Sequence, residues 1–290
     1  MFKSMASKPG KSEKLMPKLK EVRGYFAKMM ANASGSNDPR LEHVFELVPR
    51  EAFLGKGPWK IWIEGKYIDT PSADPIHVYQ NNLVALDASQ GINNGEPFLH
   101  ARWIGTVAPQ KGETVTHIGT GTGYYTAILS MLVLPGGQVF GIELNSELAA
   151  SARKNLLRFE NAHVVTGDAV SAEIRPSDII YVNAGVVVPP LNWLFALRPG
   201  GRLIFPWRPS QKVGIAMLIT REPAGFAALP IISSWFIPCV GASLDLDGDQ
   251  APDDKAAWQI KSLHLMTESQ PNDTAVAVYQ DVWFSTATLF

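Results

Sequence analysis

The N-terminal part of the chain carries apolar residues at helical spacing. The pattern runs from Leu15 to about Ala52, and a cluster of turn-forming residues from Gly35 to Pro39 interrupts it. The apolar positions are Leu19, Val22, Phe26, Met29, Met30, Leu41, Val44, Phe45 and Val48. Because residues three and four apart lie on one face of a helix, the sequence predicts two helices that precede the core.

The pattern changes between Phe53 and Pro97, where Gly, Pro, Asn and aromatic residues are frequent and no helical period is sustained. Such a segment is typical of short strands joined by ordered loops. Two of its aromatic residues, Trp59 and Trp62, have two equally good interpretations: they line a substrate cleft, or they cover the core. Pro97 then opens a predicted helix that runs through Val107, since proline is well tolerated at a first helical position.

From Glu113 onward, predicted strands alternate with predicted helices. The predicted strands are 114–118, 138–143, 163–166, 178–183 and 202–205, the last after the turn of Pro199 to Gly201, and the predicted helices are 124–134, 147–159 and 191–197. This alternation favours a parallel sheet that is covered on both faces. The predicted fold class is therefore α/β, a Rossmann-like, doubly wound and mostly parallel sheet with a helical N-terminal extension.

The sheet is predicted to end in an antiparallel edge. The segments Gly214 to Thr220 and Ile231 to Val240 have the composition of a strand pair, and a last apolar segment, Val276 to Phe284, has no assigned role. The predicted divisions are N-terminal helices with an aromatic-rich segment (1–80), a ligand-binding core (81–241) and a C-terminal extension of unknown role (242–290).

Composition narrows the function classes. The 290 residues are 46% hydrophobic and 18% charged, and 26 Lys and Arg against 27 Asp and Glu give a formal net charge of −1. No global field points to nucleic acid or an anionic membrane, and no apolar run approaches the roughly 18 residues of a membrane helix. One cysteine, Cys239, and scattered histidines indicate no structural metal and a reducing compartment. We therefore expect a cytoplasmic protein, and its oligomeric state is open.

Two charged segments are interpreted as solvent-exposed. The first twenty residues carry six lysines without the apolar stretch of a secretory signal, and we interpret them as a frayed basic terminus. The run from Asp245 to Asp249 begins like a calcium loop, but Gln250 and Ala256 replace the glycine and the bidentate glutamate that such a loop needs. We interpret this run as a solvated acidic loop.

The motif that carries chemistry lies at the first predicted strand-to-helix junction. Gly119, Gly121 and Gly123 lack side chains, so the backbone can approach a ligand and helix N-terminal amides face the crevice beyond the strand ends. The next strand ends about twenty residues later in Glu143, a carboxylate that can accept hydrogen bonds from both hydroxyls of a ribose. Asp168 follows the third strand, where it can face an adenine. Together they resemble the S-adenosylmethionine site of class I methyltransferases, and the glycine spacing opposes an NAD-dependent dehydrogenase.

Longer motifs narrow the resemblance to one family. The matching segments are Val44 to Phe53, Pro97 to Arg102, Val115 to Tyr124, Gly167-Asp168, Leu197 to Pro206 and Phe236 to Pro238. They occur in the order seen in protein-L-isoaspartate O-methyltransferases, and the chain resembles a divergent member of that family. The resemblance covers residues 40 to 241, so the predicted core would be a methyltransferase domain.

The resemblance implies S-adenosylmethionine as the cofactor and a set of residues that contact it. These residues are Gly119, Thr120, Gly121, Thr122, Gly123, Glu143, Gly167 and Asp168, with His117 where the family usually has an acid in the first strand, and His100 where some members have a cofactor-touching histidine. For His100 the alternative is a buried helix histidine without a ligand.

The chain departs from the family where the methyl acceptor is expected. The family usually reads Ile-Ser-Gln-Pro before the helix, with the serine hydroxyl at the methyl-transfer centre, whereas this chain reads Asn94-Gly95-Glu96-Pro97. Gly95 therefore stands at the catalytic serine position without a hydroxyl. Glu96 brings a carboxylate near a site that receives an anionic one, which is a repulsive arrangement. Asn94 is the candidate replacement donor, provided that the loop shifts by one residue.

The resemblance implies an O-methyltransferase that methylates a carboxylate of isoaspartyl residues, a protein-repair reaction. A carboxylate with a pKa near 4 is already ionised at pH 7, so no general base is obligatory. Two alternatives stay open: a divergent methyltransferase for a small molecule or modified peptide, which Gly95 and Glu96 favour, and a non-catalytic protein that binds the cofactor and works through partners. The expected partner is a protein or peptide substrate, with neither nucleic acid nor membrane.

Overall fold

The computed structural model describes residues 11–243 and 252–289, with side chains from residue 18 onward. The beginning of the predicted basic terminus and the predicted acidic loop at 245–249 lie outside the described residues. Within those residues, no helix is long and apolar enough to cross a bilayer, and no three His, Cys, Asp or Glu side chains are grouped as a metal ion would require.

The N-terminal third consists of helices and short strand pairs. Its elements are α1 (Lys11–Ser34), α2 (Arg40–Leu47), β1 (Lys60–Ile63), β2 (Lys66–Asp69), β3 (Ala85–Asp87), β4 (Ile92–Asn93) and α3 (Pro97–Val107). The strands form two hairpins, β1 with β2 and β3 with β4. Two helices before the core and short strands after them are confirmed, and α3 has the predicted bounds.

A ten-stranded sheet forms the centre of the molecule. The remaining elements are β5 (Thr114–Ile118), α4 (Tyr124–Leu132), β6 (Gln138–Glu143), α5 (Ser146–Asn155), β7 (Ala162–Thr166), β8 (Ser177–Val182), α6 (Leu191–Ala196), β9 (Leu197–Trp207), β10 (Ile215–Glu222), β11 (Gly225–Ser233), α7 (Asp254–Ala257), β12 (Ser262–Leu265), β13 (Ala275–Val278) and β14 (Val282–Ser285). The strand order is β7-β6-β5-β8-β9-β10-β11-β12-β14-β13. The strands from β7 to β9 are parallel, and the others join antiparallel.

The predicted α/β class with an antiparallel edge is confirmed, and the antiparallel part is longer than expected. The last apolar segment of the sequence supplies β13 and β14, which continue the sheet beyond β12. Helices cover both faces. Ile179 and Tyr181 belong to the core that α1 to α5 share, whereas Ile180 and Val182 belong to the core that contains α6. Because β8 is buried on both faces, its sequence is a continuous apolar run.

Two predicted boundaries are wrong. The residues from Pro199 to Gly201 do not end a helix before a separate strand; they lie inside β9, where the pairing with β8 shifts register. The predicted strand Ile231 to Val240 is also misplaced, because β11 ends at Ser233 and the chain then leaves β10. Residues 237–239 pair instead with Gly185, whose amide donates to Ile237 O and whose carbonyl accepts from Cys239 N. The cause is tertiary pairing, which the local apolar pattern does not contain.

Candidate active site

A cleft of about 1660 Å³ opens at the carboxyl ends of the parallel strands. Its walls come from the segments that follow β5, β6, β7 and β8, from the loop before α3, and from residues 232–240. β5 pairs with β6 on one side and with β8 on the other, so the strand order changes direction at β5. Open α/β sheets bind their ligands at such a point.

The glycine turn between β5 and α4 adopts a backbone that other residues disfavour. Gly119, Gly121 and Gly123 have φ angles of 74°, 55° and 96°. A Cβ at Gly121 would lie 3.3 Å from Leu86, and one at Gly123 would lie 3.0 Å from Leu156. Gly119 and Gly121 line the cleft together with Thr120, whose buried hydroxyl has no partner within the described residues. The turn therefore presents backbone and one free hydroxyl to a ligand.

Glu143 closes the turn from the neighbouring strand. It ends β6, lines the cleft and is 8% exposed. Its carboxylate accepts from Gly121 N at 2.7 Å and from Asn145 N at 3.0 Å. Burial raises the pKa of Glu143, and these backbone amides oppose that shift. The carboxylate is thus oriented by the turn and still has lone pairs for a ligand.

Asp168 and its neighbour Gly167 follow the third strand end and supply the second acid of the cleft. Both follow β7 and line the cleft wall. Gly167 N donates to Glu143 O at 3.0 Å, which ties this corner to the end of β6. Asp168 Oδ1 accepts from Val170 N at 2.9 Å. The three strand ends therefore bring the predicted glycines and both predicted acids to one edge of the sheet.

Three of the predicted cofactor residues, His117, Thr122 and Gly123, do not line the cleft. His117 is fully buried beneath the turn, where Nδ1 pairs with Thr126 Oγ1 at 2.9 Å and Nε2 with Asn183 Nδ2 at 2.8 Å. Burial lowers the pKa of His117 to about 3, so its ring is neutral. Gly123 is the residue before α4, and Thr122 lies beside it with its side chain buried. At this place the cleft wall is formed by Gly119 to Gly121, and these three residues lie behind it.

The space beside Gly95 is filled by the ring of His100. Gly95 has a φ of 74°, and a Cβ there would lie 2.2 Å from His100 Nε2. His100 stacks on Tyr125, with ring centroids 3.7 Å apart, and its Nδ1 lies 2.8 Å from Tyr181 Oη. Burial is the main cause that lowers the pKa of His100 well below its usual value, and the positive charge of Arg50 acts in the same direction. A neutral, tightly held imidazole therefore occupies the place where a serine side chain would begin.

Asn94 and Glu96, on either side of Gly95, both line the cleft. Asn94 is 7% exposed, and its Nδ2 has no partner within the described residues. Glu96 is held from the neighbouring loop, because Asn81 Nδ2 donates to its Oε1 at 2.6 Å. This corner thus offers one donor without a partner among the described residues and one carboxylate that is held by a hydrogen bond.

Aromatic residues cover the side of the cleft away from the glycine turn. Trp62 lines the cleft and is 40% exposed, whereas Trp59 is buried in the core. Trp62 therefore lines the cleft, as one interpretation predicts, and Trp59 belongs to the core, as the other predicts. Trp235 and Phe236 lie on the segment that leaves β11, and Phe236 stacks on Trp103 with centroids 5.2 Å apart. This wall gives the cleft an apolar side that can contact a polypeptide.

Sequence reasoning missed two arginines of this region. Arg50 is fully buried, and its guanidinium donates to the carbonyls of Val78, Gln80 and Asn82 at 2.7, 3.0 and 2.8 Å. It therefore fixes the loop that carries Asn81. Its only sequence signal was its place in the matching segment Val44 to Phe53. Arg208, which follows β9 and lines the cleft, had no signal at all.

Comparison with known proteins agrees with this site. The family model for protein-L-isoaspartate(D-aspartate) O-methyltransferase matches residues 28–243. A protein-L-isoaspartate O-methyltransferase from Brucella anthropi is 32% identical over 212 residues, which are 71% of this chain and 88% of that protein. One from Pelotomaculum thermopropionicum is 31% identical over 169 residues, which are 57% of this chain and 72% of that protein.

Two solved structures share the fold. One, a protein-L-isoaspartate O-methyltransferase, has a TM-score of 0.64 at 23% identity and covers 91% of this chain and 86% of its own. The other, from Plasmodium falciparum and in complex with S-adenosyl-L-homocysteine, has a TM-score of 0.60 at 17% identity and covers 75% of this chain and 97% of its own.

The Rossmann-like sheet, the glycine turn and the acid at the next strand end have the arrangement that the sequence motifs of class I methyltransferases imply. Within that class, the family match over residues 28–243 shows that the chain belongs to the protein-L-isoaspartate(D-aspartate) O-methyltransferase family. The predicted family, the S-adenosylmethionine-dependent enzyme class and its cofactor are thereby confirmed. Nothing in the comparisons favours the two alternative functions.

Proposed function

We propose that this chain methylates the free α-carboxylate of isoaspartyl residues in proteins or peptides, with S-adenosylmethionine as the methyl donor. The observation that carries the proposal is the single cleft that joins two kinds of wall. Glu143 and the glycine turn form one wall, and Asn94 with its unpartnered amide stands in the other. In an isoaspartyl residue the chain runs through the side-chain carbonyl, which leaves the α-carboxylate free to enter such a cleft.

The residues on the first wall fit S-adenosylmethionine. Glu143 has lone pairs left for the ribose hydroxyls, and the free hydroxyl of Thr120 supplies a further polar contact. Asp168 stands beside Ala169 and near Leu144, an acid next to apolar side chains, which suits an adenine. We propose that Gly119, Gly121 and Gly167 let the backbone approach this ligand. His117, Thr122 and Gly123 support the turn from behind.

The chain's own residues then bind, orient and exclude water. When bound, S-adenosylmethionine supplies a methyl group on a sulfonium, which an ionised carboxylate oxygen can accept by in-line displacement. Asn94 donates a hydrogen bond to the acceptor carboxylate and orients it, and His100 stays neutral beside it. Trp62 and Phe236 exclude water on the substrate side. Proximity and orientation of this kind are worth roughly 7–11 kcal/mol.

The experiment that tests the proposal is methyl transfer to a defined peptide. Labelled S-adenosylmethionine is incubated with an isoaspartyl peptide and with its normal aspartyl twin, and the product is tested for the base lability of a methyl ester. We expect selective, base-labile labelling of the isoaspartyl peptide. Labelling of neither peptide by protein that binds the cofactor would contradict the proposed substrate.

The location, the partner and the limits of the core are predictions of the sequence. The protein or peptide partner follows from the proposed substrate, and the single cysteine supports a cytoplasmic location. The divisions at residues 80 and 241 are likewise predictions of the sequence. The strands β12 to β14 add to the same sheet as the core, so we propose that the C-terminal extension stabilises that sheet.

Replacing Glu143 by alanine is expected to weaken S-adenosylmethionine binding. Loss of charge-assisted hydrogen bonds to a ribose costs about 1.5–3 kcal/mol, or about 10- to 150-fold in Kd. Isothermal titration calorimetry measures it directly. Glu147→Ala is the matched control, because Glu147 is exposed in the first turn of α5 and does not line the cleft. An unchanged Kd in Glu143→Ala would remove Glu143 from the cofactor site.

Replacing Glu96 by glutamine is expected to improve the reaction with an isoaspartyl peptide. Glutamine keeps the oxygen that accepts from Asn81 and removes the negative charge that repels the acceptor carboxylate. A partly solvated like-charge contact is worth at most about 1 kcal/mol, so kcat/KM should rise about two- to fivefold. The gain of the variant over the wild type should be largest at low salt and shrink as salt is added, because salt screens the repulsion that the variant removes. A fall in kcat/KM would show that the Glu96 charge assists binding.

A further inference from the structure

We propose that Arg208 is the residue that binds the negative charge of the acceptor carboxylate, and that it compensates for the missing serine hydroxyl at Gly95. The inference rests on the proposed function, because it assumes a substrate with a free carboxylate. It concerns a residue that no sequence motif singled out. Four observations carry it: how Arg208 is held, which of its donors are free, where it lies, and which charges surround it.

Arg208 is held so that its guanidinium has a defined place in the cleft wall. Its backbone amide donates to Val186 O at 2.7 Å, just beyond the end of β9. Its guanidinium carbon lies 5.1 Å from the centroid of the Trp235 ring, and Nη1 donates to Phe236 O. Gly185 leaves room for the side chain, because a Cβ there would lie 2.8 Å from Arg208 Cδ. The side chain is therefore oriented before any ligand arrives.

The other edge of the guanidinium is free. Among the described residues, Nε is buried without a hydrogen-bond partner and Nη2 makes no hydrogen bond. Nη2 lies on the edge of the guanidinium away from the bond to Phe236 O and is the donor that remains for a carboxylate oxygen. A carboxylate there would also give the cation an opposite charge beside it.

A chain of contacts links Arg208 to the surroundings of Gly95, and both residues line the cleft. The Gly95 Cβ position adjoins His100, and the His100 ring lies 5.8 Å from the Phe236 ring, centroid to centroid. Phe236 in turn accepts the hydrogen bond from Arg208 through its carbonyl. Ser234, next to Trp235 in the chain, also lines the cleft with a buried hydroxyl that has no partner among the described residues. The free donors of Arg208, Ser234 and Asn94 thus line one cleft.

The acids that line the cleft do not neutralise Arg208. Glu143 accepts from backbone amides, Asp168 from Val170 N, and Glu96 from Asn81. None of the five ion pairs found among the described residues includes Arg208. A second cleft-lining cation, Arg102, is exposed and lies against Gly35 at the end of α1. Arg208 is therefore a cleft-lining cation without an acidic partner among the described residues.

The test compares a carboxylate peptide with its uncharged twin. Protein saturated with S-adenosylhomocysteine is titrated with an isoaspartyl peptide and with the same peptide carrying an α-carboxamide. We expect the wild type to prefer the carboxylate, and we expect Arg208→Gln to reduce that preference about 10- to 100-fold. In turnover, KM for the isoaspartyl peptide rises by a similar factor, whereas the Kd for S-adenosylmethionine stays within twofold. Arg208→Lys keeps the charge without the fork and should retain part of the preference.

Lys212→Gln is the matched control, because Lys212 is exposed on the same loop and does not line the cleft. The substitution removes the same charge as Arg208→Gln. It should leave the preference unchanged. An unchanged preference in Arg208→Gln overturns the proposal. An equal loss of affinity for both peptides, together with a lower Tm, also overturns it, since Arg208 would then only hold the segment after β11 in place. If the wild type transfers no methyl group to the isoaspartyl peptide, the proposed function fails. If the wild type transfers it and Arg208→Gln shows the same peptide preference as the wild type, only the inference about Arg208 fails.

Discussion

Restoring the family serine by Gly95→Ser is expected to destabilise the protein and to lower its activity. A serine Cβ would lie 2.2 Å from His100 Nε2, and the φ of 74° disfavours any residue with a side chain. The ring of His100 cannot turn away easily, because it is stacked on Tyr125 and bonded to Tyr181. Overpacking and left-handed backbone together cost about 2–5 kcal/mol. Denaturant unfolding measures the loss, and methyl transfer to an isoaspartyl peptide measures the activity.

Two companion variants separate the causes. Gly95→Ala introduces the Cβ without the hydroxyl and should lose nearly as much stability. Gly95→Ser made in a His100→Ala background meets no ring but keeps the backbone strain, so its own cost there, relative to His100→Ala alone, should be smaller than in the wild type. A Gly95→Ser protein with wild-type stability and higher activity would mean that the loop around Gly95 rearranges freely.

Replacing Asn94 by alanine is expected to reduce kcat for an isoaspartyl peptide by about 10²–10³-fold, the usual cost of one well-placed donor in a reaction centre. The physical reason is the unpartnered Nδ2 in the cleft wall, which we propose orients the acceptor oxygen. Single-turnover measurements with labelled S-adenosylmethionine report the methyl-transfer step. The Kd for S-adenosylmethionine should stay within twofold, because Glu143 and the glycine turn are untouched.

The matched variant is Asn94→Asp, which keeps the shape and removes the donors. It should be at least as slow as Asn94→Ala, because its carboxylate repels the acceptor. Unfolding measured for both variants controls for the loss of packing at this buried position. A kcat near that of the wild type in Asn94→Ala would mean that other donors orient the acceptor carboxylate. It would contradict the role of Asn94 as the replacement for the serine.

The cofactor half of the cleft was predictable because its signals are local. The glycine turn needs left-handed backbone, which only glycine adopts readily, so it leaves a trace in the sequence. The bounds of β5, β6 and α3 agree with the structure because apolar runs, a proline start and turn residues mark their ends. Glu143 follows from the parallel pairing of β5 with β6, which places the two strand ends side by side.

The substrate half was predictable only in part because its contacts join distant segments. The predicted strand through Val240 failed where residues 237–239 pair with Gly185, more than fifty positions earlier. The strands β13 and β14 were a single unassigned segment, since only their pairing with β12 gives them a place in the sheet. A contact of this kind depends on the packing of the whole chain and not on nearby residues.

The sequence by itself determined the α/β class and the cofactor end of the cleft, because periodicity, turn chemistry and strand-end acids are properties of short segments. The family followed from the resemblance of its longer motifs. The sequence also showed that the serine hydroxyl is absent. Only the tertiary structure decided that His100 fills the space at Gly95, that His117 does not line the cleft, and that Arg208 lines it without an ion-pair partner among the described residues. These three facts depend on distances between residues far apart in the chain, which only packing brings together.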